Sequence, residues 1–84
     1  MHDPHVWHDV QNVIHEVEVI RDALITADPV NASTFTANAA AYTAQLTALD
    51  ADLRAMIDTV PAAERILVTS HDALGYFAHA YDFT

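Results

Sequence analysis

The chain contains no cysteine, which excludes disulfides, thiolate metal sites and thiol nucleophiles together. Basic residues are scarce: Lys+Arg number 3 against 12 Asp+Glu, a formal charge of −9 with histidine neutral. That deficit argues against nucleic acid, whose binding needs clustered Lys/Arg to neutralise phosphates. It argues equally against an anionic membrane surface. No apolar run approaches the ~20 residues that span a bilayer, so no membrane insertion is expected of this segment. Met1 is followed by His2-Asp3-Pro4-His5, which has neither the basic start nor the apolar stretch of an export signal. If the protein is exported, its leader is expected outside these residues.

What is present is mostly apolar. At 52% hydrophobic residues, the chain is not a disordered tail. Its 84 residues make one small domain, or a piece of a larger one. A domain this short buries only about 60–65% of its unfolded surface. Without disulfides it needs a good core, a metal or a partner. Six histidines against three Lys+Arg is the oddity of the composition. The acidic balance suits a cation, although many acidic domains bind nothing charged.

Three prolines, Pro4, Pro29 and Pro61, divide the chain, because each forces the preceding residue out of helical geometry. Between the first two, Val10, Val13, Ile14, Val17, Ile20, Leu24 and Ile25 recur at threes and fours. That spacing predicts a helix over 9–27, with Asp9 able to accept from the free amides of the first turn. In the next segment, Phe35, Ala39, Tyr42, Leu46, Leu49, Leu53, Met56 and Val60 alternate by four and three, a heptad seam. A long helix is expected over 31–60, with Asn31 or Ser33 as its cap. Some 28 residues at 1.5 Å each span ~42 Å, against the ~25 Å diameter of a compact domain of this size. Such a helix either packs on a partner or bridges two lobes.

After Pro61, the run Arg65-Ile66-Leu67-Val68-Thr69 reads as a buried strand over 65–69. Leu74, Phe77, Ala78 and Tyr81 then mark a helix over 71–82, in which Gly75 costs about 1 kcal/mol relative to alanine. The expected fold is therefore mainly α: helix, long helix, short strand, helix. A lone strand cannot satisfy its own backbone groups and needs a sheet that this sequence does not supply.

Two motifs could carry chemistry. In His2-Asp3-Pro4-His5-Val6-Trp7-His8, three histidines recur every three residues in a segment, 1–8, just before the first helix. Neutral imidazole is the commonest protein ligand for zinc and suits other transition metals. The alternative is plain loop histidines, one of them capping the helix. In Ser70-His71-Asp72, residues follow a strand and open a helix, where functional groups often sit in α/β folds. His71 could ligate through one ring nitrogen while the other donates to a neighbouring oxygen, or could simply cap the helix. A serine-hydrolase reading fails, because three adjacent side chains cannot form the relay of a Ser-His-Asp triad. His15 and His79 are read as surface or boundary residues. Glu16, Glu18, Asp22, Asp50, Asp52 and Asp58 are read as solvated helix faces, and Trp7, Tyr42, Tyr76 and Tyr81 as packing residues.

Taken together, Asp3-Pro4-His5-Val6-Trp7, Asp28-Pro29 with Asn31, Tyr42 and Leu46 on the long helix, and Leu67-Val68-Thr69-Ser70-His71-Asp72-Ala73-Leu74-Gly75-Tyr76-Phe77 resemble the zinc- and manganese-binding solute receptors of bacterial ABC importers. The resemblance runs over essentially the whole chain, as a central fragment. It implies two α/β lobes joined by one long helix, with the metal in the cleft between them. It implies no enzyme, a divalent Zn or Mn ion as the ligand, and an ABC permease as partner. The parent protein would be periplasmic, or membrane-anchored outside the cell. By position, His5 and His71 match two metal ligands. Asp3, His8 and Asp72 would support them from a second layer. Two further ligands are expected outside this chain. Asp82 departs from the family pattern, which has glycine after the aromatic residue of this helix. A competing expectation is a helical self-association module, in which the heptad seam pairs between copies of a homo-oligomer and no metal function is retained.

Overall fold

The computed structural model describes residues 3–84. Three α-helices dominate: α1 (Val10–Ala27), α2 (Ala32–Asp58) and α3 (Gly75–Tyr81). Short 3₁₀ turns at Val6–His8, Pro29–Asn31 and Ala62–Glu64 precede each of the first two helices and follow the second.

Local chemistry sets the ends of α1. The Asp9 carboxylate accepts from the Gln11 amide at 3.0 Å, satisfying one of the donors that a first turn leaves free. At the other end the Asp28 amide donates to the Leu24 carbonyl, and Pro29 cannot continue the helix. Asn31 precedes α2 but caps no backbone amide with its side chain. Its Nδ2 instead donates to the Asp28 carboxylate at 2.7 Å, closing the connection between the helices.

α1 and α2 form an antiparallel hairpin. Gln11, at the start of α1, bonds Asp50 near the end of α2, while Leu24 and Phe35 share a groove at the opposite end. α3 packs back against the region where α1 begins. The buried hydrophobic residues are Val10, Leu46 and Tyr81, one from each helix. Much else stays open. Ile20, Leu24, Tyr42, Leu49 and Met56 are all 44% exposed or more.

The molecule is long and thin, with extents of 52 × 31 × 15 Å. Its radius of gyration is 16.1 Å, against ~12 Å for a compact domain of this length. The accessible surface is 6005 Å², where a compact monomer of 9.2 kDa exposes ~4,900 Å². Exposed apolar residues of the hairpin, Tyr42, Leu49 and Met56 of the α2 seam among them, contribute to the excess.

The strand expected over 65–69 is not formed; among the described residues there is no strand at all. Ile66 is 63% and Val68 92% exposed. Beyond local turn bonds to Ala62 and Glu64, the described backbone that pairs with this run is Thr84. The Leu67 amide donates to the Thr84 carbonyl at 3.0 Å, and the Thr84 amide donates to the Arg65 carbonyl at 2.8 Å. These two bonds flank Ile66 as one rung of a parallel ladder would, and one rung does not make a strand. β-branched composition prepared the segment for a sheet, and no neighbouring strand completes it.

Asp82 ends α3 with φ 60° and ψ 42°, the left-handed conformation in which helices commonly terminate. It is the one non-glycine residue with positive φ among those described. Glycine adopts this conformation without steric cost, and aspartate is one of the few other residues that visit it. Asp82 thus holds a conformation that favours glycine, the residue the resemblance leads one to expect there.

Candidate metal centre

The segment before α1 is a rigid turn. The Val6 amide donates to the Pro4 carbonyl and the Asp9 amide to the Val6 carbonyl. Asn12, one turn into α1, donates from Nδ2 to the Val6 carbonyl at 3.1 Å, pinning the turn to the helix. Within it Asp3 folds back on His5. Its Oδ1 accepts from the His5 backbone amide at 2.9 Å and lies 2.7 Å from the His5 ring Nδ1. The amide bond, then the ring bond, hold the Asp3 carboxyl below its ordinary range. An ionised carboxylate only accepts hydrogen bonds, so Nδ1 carries a proton in this contact, which in the neutral ring places the lone pair on Nε2. A ligating histidine is commonly oriented by just such a carboxylate.

His71 arrives from the far end of the sequence, in the turn between the 65–69 run and α3. Its carbonyl accepts from the Thr69 hydroxyl at 2.7 Å, which fixes the turn. The His5 and His71 rings approach to 6.2 Å between centroids, at an interplanar angle of 62°. His5 is half-buried and His71 exposed. Two segments 66 residues apart therefore bring their imidazoles side by side.

The remaining candidates are placed differently. Trp7 stands between His5 and His8, with ring centroids 5.5 Å from each. It is 53% exposed and packs on the two imidazoles rather than in a core. Asp72 lines a hollow with Leu67, Thr69, Leu74 and Thr84, and no hydrogen bond joins it to either histidine among the described residues. His2 lies outside the described residues, as does the beginning of the 1–8 segment. Among the described residues no three His, Asp or Glu side chains converge as a complete metal-binding cluster. What is assembled is a pair of imidazoles with one carboxylate behind the first.

A family described as "Zinc-uptake complex component A periplasmic" matches residues 1–84. The chain belongs to this family. The zinc-uptake component A proteins are receptors for metal uptake and not enzymes. The chain is 44% identical over 81 residues to the manganese-binding lipoprotein MntA of Halalkalibacterium halodurans, covering 96% of this chain and 27% of that protein. It is 43% identical over 81 residues to the iron-binding protein YfeA of Yersinia pestis, covering 96% and 26%. The solved structure of the periplasmic zinc-binding protein TroA from Treponema pallidum superposes with a TM-score of 0.91 at 43% identity, over 96% of this chain and 29% of that one. The chain thus spans about a quarter of the length of its relatives, and its mainly helical fold is a portion of theirs. No helix among the described residues is long and apolar enough to cross a membrane.

The sequence alone did not single out a second polar centre. Asp50, on α2, accepts from the Tyr81 hydroxyl at 2.6 Å, from Arg54 Nε at 3.2 Å and from Gln11 Nε2 at 3.4 Å. The Arg54 guanidinium also lies 5.1 Å from the Tyr81 ring centre and donates to the Ala80 carbonyl. One carboxylate therefore ties all three helices together, at a distance along the chain from either histidine.

Proposed function

We propose that the chain is the metal-binding section of an extracytoplasmic receptor that captures a divalent transition metal, zinc ahead of manganese, and passes it to an ABC permease. His5 and His71 act as direct ligands. Asp3 orients the His5 ring, while His8 and Asp72 shape the surroundings. Two further ligands come from outside this chain. The parent protein works in the periplasm or anchored to the outer face of a membrane.

The approach of the His5 and His71 rings carries this reading. Zinc binds imidazole nitrogen at about 2.0–2.1 Å, and tetrahedral coordination sets two such rings ~5.2 Å apart between centroids. The 6.2 Å separation is about 1 Å wider, a gap within reach of rotation by the exposed His71 side chain. The relatives are named for manganese, zinc and iron, so family membership does not choose the metal. The two imidazoles support the lean towards zinc, since nitrogen ligands favour zinc whereas carboxylates suit manganese.

Calorimetric titration of the chain with ZnCl₂ and MnCl₂ tests the reading. Zinc is expected to bind at least tenfold more tightly than manganese. Binding is expected to release protons and weaken on acidification, since the ligating imidazoles must be neutral. Equal affinities, or zinc binding indifferent to pH, would remove the imidazole pair from the site.

A second reading concerns the isolated chain as a self-association module, and the open apolar faces of the hairpin favour it. A homo-oligomer would bury the seam of α2 between copies. Sedimentation with zinc and with chelator separates the readings. A dimer that persists unchanged in chelator supports seam pairing; a monomer in both supports the receptor section alone.

A further inference from the structure

Gly75 opens α3, and a glycine at a helix start has no evident advantage there. Its surroundings supply one. A β-carbon built on Gly75 would lie 3.0 Å from Oδ2 of Asp3, closer than the ~3.3–3.6 Å at which carbon and oxygen usually settle. The backbone of α3 and the carboxylate from the opening turn touch through the space that a side chain would fill. A carboxylate at the end of a free side chain would simply rotate away. That of Asp3 is not free, since its other oxygen holds both the amide and the ring nitrogen of His5. Any rotation that relieves Oδ2 moves Oδ1.

We infer that Gly75 is a positioning residue for His5, its missing side chain letting the Asp3 carboxylate lie against α3 while it orients the His5 ring. The inference rests on the reading of His5 as a metal ligand only for its effect on affinity. The effect on the ring itself stands without metal. It also explains a link between the two halves of the site. The segment that carries His71 continues directly into α3, so the contact at Gly75 sets the opening turn and the His71 turn against one another.

Alanine forms helix better than glycine, so a purely structural role predicts that Gly75→Ala leaves stability unchanged or raises it and does nothing else. The positioning role predicts a different result. In Gly75→Ala, ¹⁵N spectra of the histidine rings at neutral pH, without metal, should show His5 losing its fixed Nδ1–H form and becoming a mixture of tautomers. Zinc affinity should fall about tenfold while the melting temperature holds. In an Asp3→Ala background, where no other described residue meets the new methyl group, Gly75→Ala should change neither readout further. A His5 signature unaltered by Gly75→Ala would overturn the inference. So would an equal loss of affinity from Gly75→Ala with and without Asp3. If the wild-type chain binds no zinc, the metal reading falls, and the ring signature still decides the role of Gly75.

Discussion

His5→Ala and His71→Ala are each expected to weaken zinc binding by at least tenfold, and the double variant is expected to bind no more tightly than a surface histidine. In the proposed pair the second nitrogen would bind an ion already held by the first, so removing either ring would leave one ligand. Changing groups that merely orient a ligand costs about 10–100-fold in metal affinity, so loss of a ligand should cost no less. Asp3→Asn should fall between wild type and His5→Ala, because an amide still reaches the ring but no longer enforces one tautomer. His15→Ala serves as the control. His15 is an exposed residue on α1 whose nearest charged partner is Glu18, at 4.0 Å. Titration calorimetry of the six proteins under one buffer reads the result. Equal affinities for wild type, His5→Ala and His71→Ala would show that the ring approach is a packing accident.

Each histidine could be singled out in the sequence because it sits in a compact motif, whereas their pairing came from the family resemblance and not from any local signal. Asp3-Pro4-His5 holds the ring, its carboxylate and the turn-forming proline within three residues. Thr69-Ser70-His71 holds the second ring and the hydroxyl that bonds its carbonyl. The helices were legible for a similar reason: spacings of three and four, with Asp9 and Pro29 at the ends of α1, are local signals. The strand failed on the same logic. Ile66, Leu67 and Val68 have the right side chains, but strand formation is decided by a neighbouring strand, and among the described residues Thr84 alone offers a ladder-like pair of bonds. The heptad seam was half informative. It marked the inward line of α2 correctly at Leu46, yet Tyr42, Leu49 and Met56 on the same line stay 45% exposed or more. Period identifies a face and says nothing about what covers it.

Asp50 was invisible for a different reason. It belongs to a set of six acidic residues with no distinguishing neighbours in sequence, and its partners stand 39 residues before it and 31 after it. Arg54, four residues on, is the one local hint, and an i,i+4 ion pair on a helix surface is commonplace. Only the fold shows that this pair reaches two other helices. Tyr81 was read as packing, which is correct for its ring, 3% exposed. Its hydroxyl, however, needs a partner when buried, and Asp50 provides it.

Asp50→Ala is accordingly expected to be among the most destabilising single changes in the chain. A hydrogen bond to a charged group contributes about 1.5–3 kcal/mol, and a buried hydroxyl left unpaired adds a penalty of similar size when water cannot reach it. A loss of about 2–4 kcal/mol is expected, measured as a lower urea midpoint at unchanged slope. For a domain of this length, whose whole stability is of order 4–12 kcal/mol, that is a large share. Tyr81→Phe removes the donor to Asp50 Oδ1 while Arg54 and Gln11 still bond Oδ2, and should cost about 1–2 kcal/mol. The pH dependence separates the two partners. The Tyr81 hydroxyl, and after it Arg54, hold the Asp50 carboxyl below its ordinary value of 3.8. Its stabilisation is therefore fully present above that value and is lost as pH falls through the lower folded value. Burial, then the Asp50 carboxylate, push Tyr81 up from 10.0 to about 12. Its share is present below pH 10 and is lost as pH rises towards 12. Tyr81→Phe should thus flatten the alkaline limb of the stability profile. Asp50→Asn should flatten part of the acid limb, the rest belonging to groups such as Asp3. If Asp50→Ala leaves the urea midpoint where it was, the three helices are held by their apolar contacts alone and the carboxylate is incidental to the fold.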